Sequence, residues 1–105
     1  GWVSGTFIGA LLPSKDSETA IKRYKEGTYE PWHVHLKATE ATIIVSGIAQ
    51  MNGLNYFQDD IIVIEPGRGT DFKAISDVIT VVIKTPSEPT DKWVQDPDGP
   101  GIIRA

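Results

Sequence analysis

The chain has 105 residues, and its 10 basic residues against 14 acidic ones give a net charge of −4. This length supports one domain with a modest core, residues 1–105. The basic residues are scattered along the sequence, so we expect neither nucleic acid nor an anionic membrane as a partner. The sequence contains no cysteine, which excludes disulfides, thiolate metal ligands and a cysteine nucleophile and agrees with the cytoplasmic location that we expect.

The first third of the chain predicts strands. Residues 2–12 form an apolar segment interrupted by glycines, which predicts one strand, and residues 13–17 form a turn cluster. Residues 18–25 mix polar and apolar side chains; their β-branched and aromatic residues, with Gly27 closing the run, favour a half-exposed strand, although a helix is the alternative. Pro31 restricts the residue before it to extended geometry and leads into the next strand.

The rest of the chain also predicts strands. Asn52-Gly53 is the strongest hairpin signal in the sequence. Residues 61–64 and 78–83 are nearly continuous apolar runs, too short and too β-branched for helices, so we expect strands that are covered on both faces. The outer cover would be a second sheet or a partner subunit, which predicts a homodimer. Residues 86–105 hold four of the seven prolines and predict a tail draped over the domain.

About eight to ten short strands and no convincing helix predict an all-β fold, either a small antiparallel β-barrel or a double-sheet jelly roll.

Two histidines at alternate positions carry the strongest chemical signal. His33 and His35 share one face of an extended strand, with their Cα atoms roughly 7 Å apart, and neutral imidazoles are good transition-metal ligands. Glu40 has an odd offset from His35, so the chain must turn over residues 36–39 before Glu40 opens a second strand. We therefore predict a two-histidine, one-carboxylate metal site with open coordination positions. The alternative is a pair of hydrogen-bonded structural histidines. Trp32 is expected to point outward.

This spacing resembles the first motif of the cupin superfamily, in which glycines frame a His-x-His pair and a glutamate. The matching residues are Gly27, His33, His35, Glu40 and Gly47. The resemblance implies a small single-domain cupin that binds a divalent transition metal, iron, manganese, nickel or zinc, through the histidines and the glutamate.

The second cupin motif is matched less completely. Aligned on residues 64–67, it places Thr70 where the family has a third histidine ligand. A hydroxyl is a poor ligand but can hold a metal-bound water. If Thr70 and Phe72 point inward to line the pocket, as this alignment implies, period two turns Asp71 outward. Tyr29 or Tyr24 is a candidate for a phenol at the pocket mouth.

Three functions are open at this point. The first is a metal-dependent enzyme of the oxygenase or isomerase and lyase type, in which a small-molecule substrate completes the coordination sphere. The second is a binding module that holds a saccharide or small acid without turnover. The third is a metal-free sugar isomerase or epimerase with His33 or His35 as the base. Similarity to other small cupins at residues 64–67, 71–72, 84–86 and 91–92 implies a link to carbohydrate or small-organic-acid metabolism.

Overall fold

The computed structural model of the protein describes residues 2–105. Within these residues there is no helix, and the predicted all-β fold is confirmed. The strands, in chain order, are β1 Trp2–Gly5, β2 Leu12–Pro13, β3 Glu18–Tyr24, β4 Tyr29–Val34, β5 Thr39–Ser46, β6 Ala49–Met51, β7 Leu54–Tyr56, β8 Ile61–Ile64, β9 Gly69–Ala74, β10 Val78–Thr85, β11 Trp93–Gln95 and β12 Ile102–Arg104.

The strands form two six-stranded sheets that pack face to face. The first sheet has the order β2-β1-β3-β10-β5-β8, and the second has the order β12-β11-β4-β9-β6-β7. From β3 onwards the chain crosses between the sheets at every connection except the β6–β7 and β11–β12 connections, which is the pattern of a double-sheet jelly roll. All strand pairs are antiparallel except β1 with β2.

Side-chain alternation divides each central strand into an inward and an outward face. The inward residues at one end of the domain are apolar and form the core cluster of Ile44, Ala49, Met51, Phe72, Ala74 and Val78. At the other end the inward residues are polar or charged, and Glu18, His35, Glu40 and Thr70 are all buried there. We call these the apolar end and the polar end of the interior.

The N-terminal segment differs from its prediction. Residues 2–12 do not form one strand, because β1 ends at Gly5 and a turn follows before β2 pairs parallel to β1. Gly5 has φ of 138° and Gly9 has φ of 90°, conformations that only glycine adopts readily, so these glycines make the turn. The strand predicted for residues 18–25 is confirmed as β3, and the helical alternative is wrong.

The hairpin predicted at Asn52-Gly53 is confirmed between β6 and β7. Asn52 has φ of 51° and Gly53 has φ of 78°, and positive φ at both central residues is the requirement of a type I′ turn.

The C-terminal residues 86–105 pair with the domain as well as lying over it. They contribute β11 and β12 to one edge of the second sheet, where β11 pairs with β4. All four prolines of the segment lie outside these strands, because proline cannot donate to the ladder. The tail is thereby joined to the strand that carries His33.

The outward face of β8 is open in the single chain. Ile61 is 65% exposed and Val63 62% exposed, so the expectation that this strand is covered on both faces is not met within one copy of the chain. The inward residues Ile62 and Ile64 pack against the core cluster.

Candidate metal centre

The three residues predicted as metal ligands come together at the polar end of the interior. His33 lies in β4, His35 follows the end of that strand, and Glu40 is the second residue of β5. One ligand atom from each of them lies within 4.8 Å of the others. The chain turns between His35 and Thr39, as the odd offset of Glu40 requires.

A bulge in β4 aims His33 into the interior. Glu30 pairs with Phe72 and His33 pairs with Thr70, so three residue steps on β4 oppose two on β9. The extra residue lets both Glu30 and His33 face inward, which straight alternation forbids. Trp32 lies against Gly69, where a Cβ atom would come within 2.1 Å of the indole ring. A side chain at position 69 would displace the indole beside His33.

Backbone carbonyls fix the orientation of both imidazoles. His33 Nδ1 lies 3.3 Å from the Pro31 carbonyl oxygen, and His35 Nδ1 lies 2.9 Å from the Asp91 carbonyl oxygen. A carbonyl oxygen only accepts hydrogen bonds, so in each neutral ring Nδ1 carries the proton and Nε2 carries the lone pair. In metal-binding histidines, the ring nitrogen that does not bind the metal usually donates to an acceptor of this kind.

His35 Nε2 is the atom that best tests whether a metal fits. It is buried and has no hydrogen-bond partner among residues 2–105, while the Glu40 Oε2 atom lies 3.3 Å away. With Nδ1 as the donor, a lone pair and a carboxylate oxygen face each other, which is unfavourable unless a cation or a second proton lies between them. A divalent metal satisfies both atoms, so the residues present fit the predicted ion.

Glu40 and His33 both favour the deprotonated form, for different reasons. Burial raises the pKa of Glu40, but a hydrogen bond from His35, made when Nε2 carries a second proton, and the Lys84 ammonium outweigh it, so the pKa lies below its ordinary value. Burial lowers the pKa of His33, and the hydrogen bond to Pro31 offsets this only in part. Both side chains are therefore ready to bind a metal at neutral pH, since ligands must lose their protons first.

Asp91 organises the turn that carries His35, and the sequence analysis missed this role. Its carboxylate accepts hydrogen bonds from the backbone N–H groups of Leu36 at 3.0 Å, Lys37 at 2.9 Å and Ala38 at 2.9 Å. Burial raises the pKa of Asp91, but these N–H groups together lower it below its ordinary value. Asp91 thus holds both the His35 imidazole and the turn that follows it. Because Asp91 lies far along the chain from this turn, no local sequence pattern predicted the contact.

A cavity of about 50 Å³ lies beside the ligand set. Thr70 and Phe72 line it, as expected. Tyr29 does not: it is 54% exposed, and its hydroxyl donates to Asp71 outside the cavity. Tyr24 takes the inward position instead. The full lining is Lys22, Tyr24, Glu30, His33, Glu40, Thr42, Met51, Thr70, Phe72, Thr80, Val82, Lys84 and Lys92.

Thr70 occupies the position at which the resemblance places a third histidine. It is buried and faces inward from β9, and its hydroxyl donates to the Asp71 carbonyl at 2.7 Å. Asp71 faces outward, as period two predicts, and its carboxylate accepts from the Asn52 N–H. Neither residue adds a carboxylate or an imidazole to the ligand set.

Solved structures of other proteins share this fold, and the chain has the cupin fold. An uncharacterised conserved protein with a double-stranded β-helix domain from Klebsiella pneumoniae superposes with a TM-score of 0.67 at 21% identity, over 90% of this chain and 74% of that one. An RmlC-like cupin from Shewanella frigidimarina gives 0.66 at 14% identity, over 71% of this chain and 70% of that one.

The DMSP lyase DddQ from Ruegeria pomeroyi gives a TM-score of 0.77 at 19% identity. The match covers 94% of this chain and 52% of that protein, so this chain spans about half its length. These likenesses confirm the predicted cupin resemblance at the level of the fold. No protein-family model matches the sequence, and no curated protein matches it either. Residues 2–105 contain no helix that is long and apolar enough to cross a membrane.

Proposed function

We propose that the protein is a small metal-binding cupin that acts on a small organic acid or a carbohydrate. His33, His35 and Glu40 would hold iron, manganese, nickel or zinc. The buried Nε2 atom of His35, which has no hydrogen-bond partner among the described residues and faces the Glu40 carboxylate at 3.3 Å, carries this proposal. A bound metal would supply Lewis-acid chemistry or, if it is iron, oxygen activation.

The protein's own residues prepare the site for such a ligand set. The carbonyls of Pro31 and Asp91 hold the two imidazoles with Nε2 free. The Asp91 carboxylate fixes the turn that sets His35 against Glu40. The lining of the adjacent cavity is mixed, with threonine hydroxyls beside the aromatic rings of Tyr24 and Phe72, which suits a small polar molecule.

A second candidate function is binding of the same small molecule without turnover. The Thr70 hydroxyl favours it, because this group occupies the third-histidine position and already donates to the Asp71 carbonyl. A ligand set of three leaves more coordination positions to be filled by the bound molecule. Turnover assays with the metal-loaded protein on a panel of hydroxy acids and sugars separate the two candidates.

Elemental analysis of protein purified without an affinity metal tests the metal proposal. We expect near-stoichiometric metal in the wild type, loss of it in His35→Ala and Glu40→Gln, and retention in the control Glu65→Gln, whose side chain is exposed. A wild type that takes up none of the four ions after incubation, or variants that bind metal as well as the wild type, would overturn it.

We also propose that a second copy of the chain covers the outward face of the first sheet. Ile21, Val45, Ile61 and Val63 are exposed on outward positions there. The pairing of Ile43 with Ile61 and of Ala41 with Val63 makes the apolar surface continuous across two strands, and monomeric proteins rarely leave a large patch of this kind open.

Sedimentation equilibrium tests this dimer. Val63→Lys is expected to dissociate it, whereas the control Ile8→Lys, in the exposed turn between β1 and β2, leaves it intact. A monomeric wild type, or a dimer that Val63→Lys does not weaken, would contradict the proposal.

A further inference from the structure

Positive charge is concentrated at the cavity of the metal centre although the protein as a whole is acidic. Three of the seven lysines of the chain, Lys22, Lys84 and Lys92, line this cavity, against two glutamates, Glu30 and Glu40. The net charge of the whole chain is −4. A divalent ion at the proposed site would make the cavity still more positive.

The strand register explains how the lysines converge. Lys84 in β10 pairs with Glu18 of β3 on one side and with Glu40 of β5 on the other, so it lies in the middle of a row that faces the polar end. Lys22 is further along β3, opposite Thr80. Lys92 reaches the cavity from the opposite sheet, just before β11.

None of these ammonium groups has a carboxylate oxygen within 4.0 Å among residues 2–105, where the ion pairs are His35 with Glu40 and Lys37 with Glu88. Instead, Lys22 and Lys84 lie above the Trp2 ring, 5.8 Å and 5.7 Å from its centroid. The Glu18 and Glu40 carboxylates act on Lys84 from the two neighbouring strands, but from beyond ion-pair distance. The lysines therefore keep N–H donors that an anion entering the cavity can accept from.

One hydroxyl of the cavity lining lacks a hydrogen-bond partner. Thr80 Oγ1 is buried with no hydrogen-bond partner among the residues that the structure describes, and Thr80 lies beside Lys22 in the register. A hydroxyl donor next to an ammonium group is a suitable pair for a carboxylate, which accepts several hydrogen bonds at once.

The size of the cavity limits the ligand. A volume of about 50 Å³ holds roughly three to five water molecules when each needs about 10–15 Å³ by the same measure. This space suits an acid of a few carbon atoms, or the acidic end of a longer molecule. A carboxylate is favoured over a phosphate because the lining contains neither an arginine nor a helix N-terminus, the groups that most often recognise phosphate.

We propose that this cavity binds a carboxylate anion, with Lys22 and Lys84 as its binding residues and Thr80 as a hydrogen-bond donor. The inference rests on the proposed function, because it places the acid beside the proposed metal ligands. It adds the chemical class of the molecule that the site binds. Lys92, which is more exposed, attracts the anion to the opening.

Backbone-amide NMR titrations of zinc-loaded and metal-free protein test this proposal. The probes are glycolate and malonate, the uncharged analogue ethylene glycol, and inorganic phosphate. We expect saturable shifts around the cavity with the carboxylates and none with ethylene glycol. Lys22→Met and Lys84→Met should each weaken carboxylate binding at least about tenfold, whereas Lys84→Arg keeps most of it. The matched control is Lys73→Met on the outward face of β9, which should bind like the wild type.

Zinc content, measured on every variant, separates this proposal from the previous one. Normal zinc content with no carboxylate binding, or with binding that the lysine variants do not weaken, overturns the anion proposal and leaves the metal proposal standing. Lysine-dependent carboxylate binding in a protein that takes up no metal supports the anion proposal and overturns the metal proposal. Tighter binding of phosphate than of either carboxylate overturns the assignment of the anion. Amide spectra of the free variants identify any that fail to fold, and Lys84→Arg then provides the comparison.

Discussion

The two ends of the interior are built from the same strands but have opposite chemistry. On β5, Ile44 faces the apolar end while Glu40 faces the polar end; on β10, Val78 and Lys84 are divided in the same way. The apolar end holds the sheets together by burial. The polar end keeps charged and unpaired groups out of water, which stabilises the fold little and prepares a binding site.

Removing a side chain from the apolar end should have the largest effect on stability. Ile44 is fully buried in the core cluster, so Ile44→Ala is expected to lower the free energy of unfolding by about 2–5 kcal/mol. Urea denaturation measures this change. Metal uptake well below the transition should remain, because no ligand is altered. A loss of less than about 1 kcal/mol would show that the apolar end does not dominate stability.

Asp91 contributes both to the stability of the fold and to the metal centre, so replacing it should affect both. Asp91→Ala leaves the N–H groups of the turn without their acceptor, which is expected to cost about 1–3 kcal/mol. It should also weaken metal binding about 10–100-fold, because the turn orients His35. Competition with a chelator of known affinity measures the metal effect. Asp91→Asn, which keeps one acceptor oxygen, should lie between the wild type and Asp91→Ala; equal metal affinity in all three would exclude the positioning role.

The smallest effect is expected at Glu18 of the polar end, and it should depend on pH. Burial raises the pKa of Glu18 above its ordinary 4.5, and the opposing effect of Lys84 is smaller. The folded state therefore holds this proton more tightly than the unfolded state does, and stability is lost as the pH rises above 4.5 towards the folded-state pKa.

Glu18→Gln should remove that loss. In the metal-free protein, we expect the variant to be as stable as the wild type at low pH and more stable, by less than about 1 kcal/mol, at neutral pH. Thermal unfolding from about one pH unit below the ordinary carboxyl pKa up to about pH 7 measures the difference. A variant that loses stability relative to the wild type as the pH rises would contradict the assignment.

Features of the fold and of the candidate site that depend on a few neighbouring residues could be predicted from the sequence. The alternation of His33 and His35, the odd offset of Glu40 and the Asn52-Gly53 turn each depend on a few neighbouring residues, and the structure has the arrangement that those patterns predict. The alignment with the second cupin motif assigned Thr70 to the interior, and period two then assigned Asp71 to the exterior.

Features that depend on distant residues could not be predicted in this way. The bulge in β4 arises from its pairing with β9, and the capping of the turn by Asp91 joins residues more than fifty positions apart. Lys84 became a site residue only through the register that places it between Glu18 and Glu40. Tyr29 was assigned to the pocket on residue type alone, and its hydroxyl pairs with Asp71 instead.

The protonation and metal binding of His35 test the central claim most directly. Long-range ¹H–¹⁵N spectra report which imidazole nitrogen carries a proton, and zinc is then added to one equivalent. The structure predicts that in metal-free protein Nδ1 of His35 carries a proton that it donates to the Asp91 carbonyl, and that one equivalent of zinc changes the Nε2 resonances of both histidines. Nε2 resonances that zinc leaves unchanged would instead mean a plain ion pair between His35 and Glu40, and the proposed metal centre would be wrong.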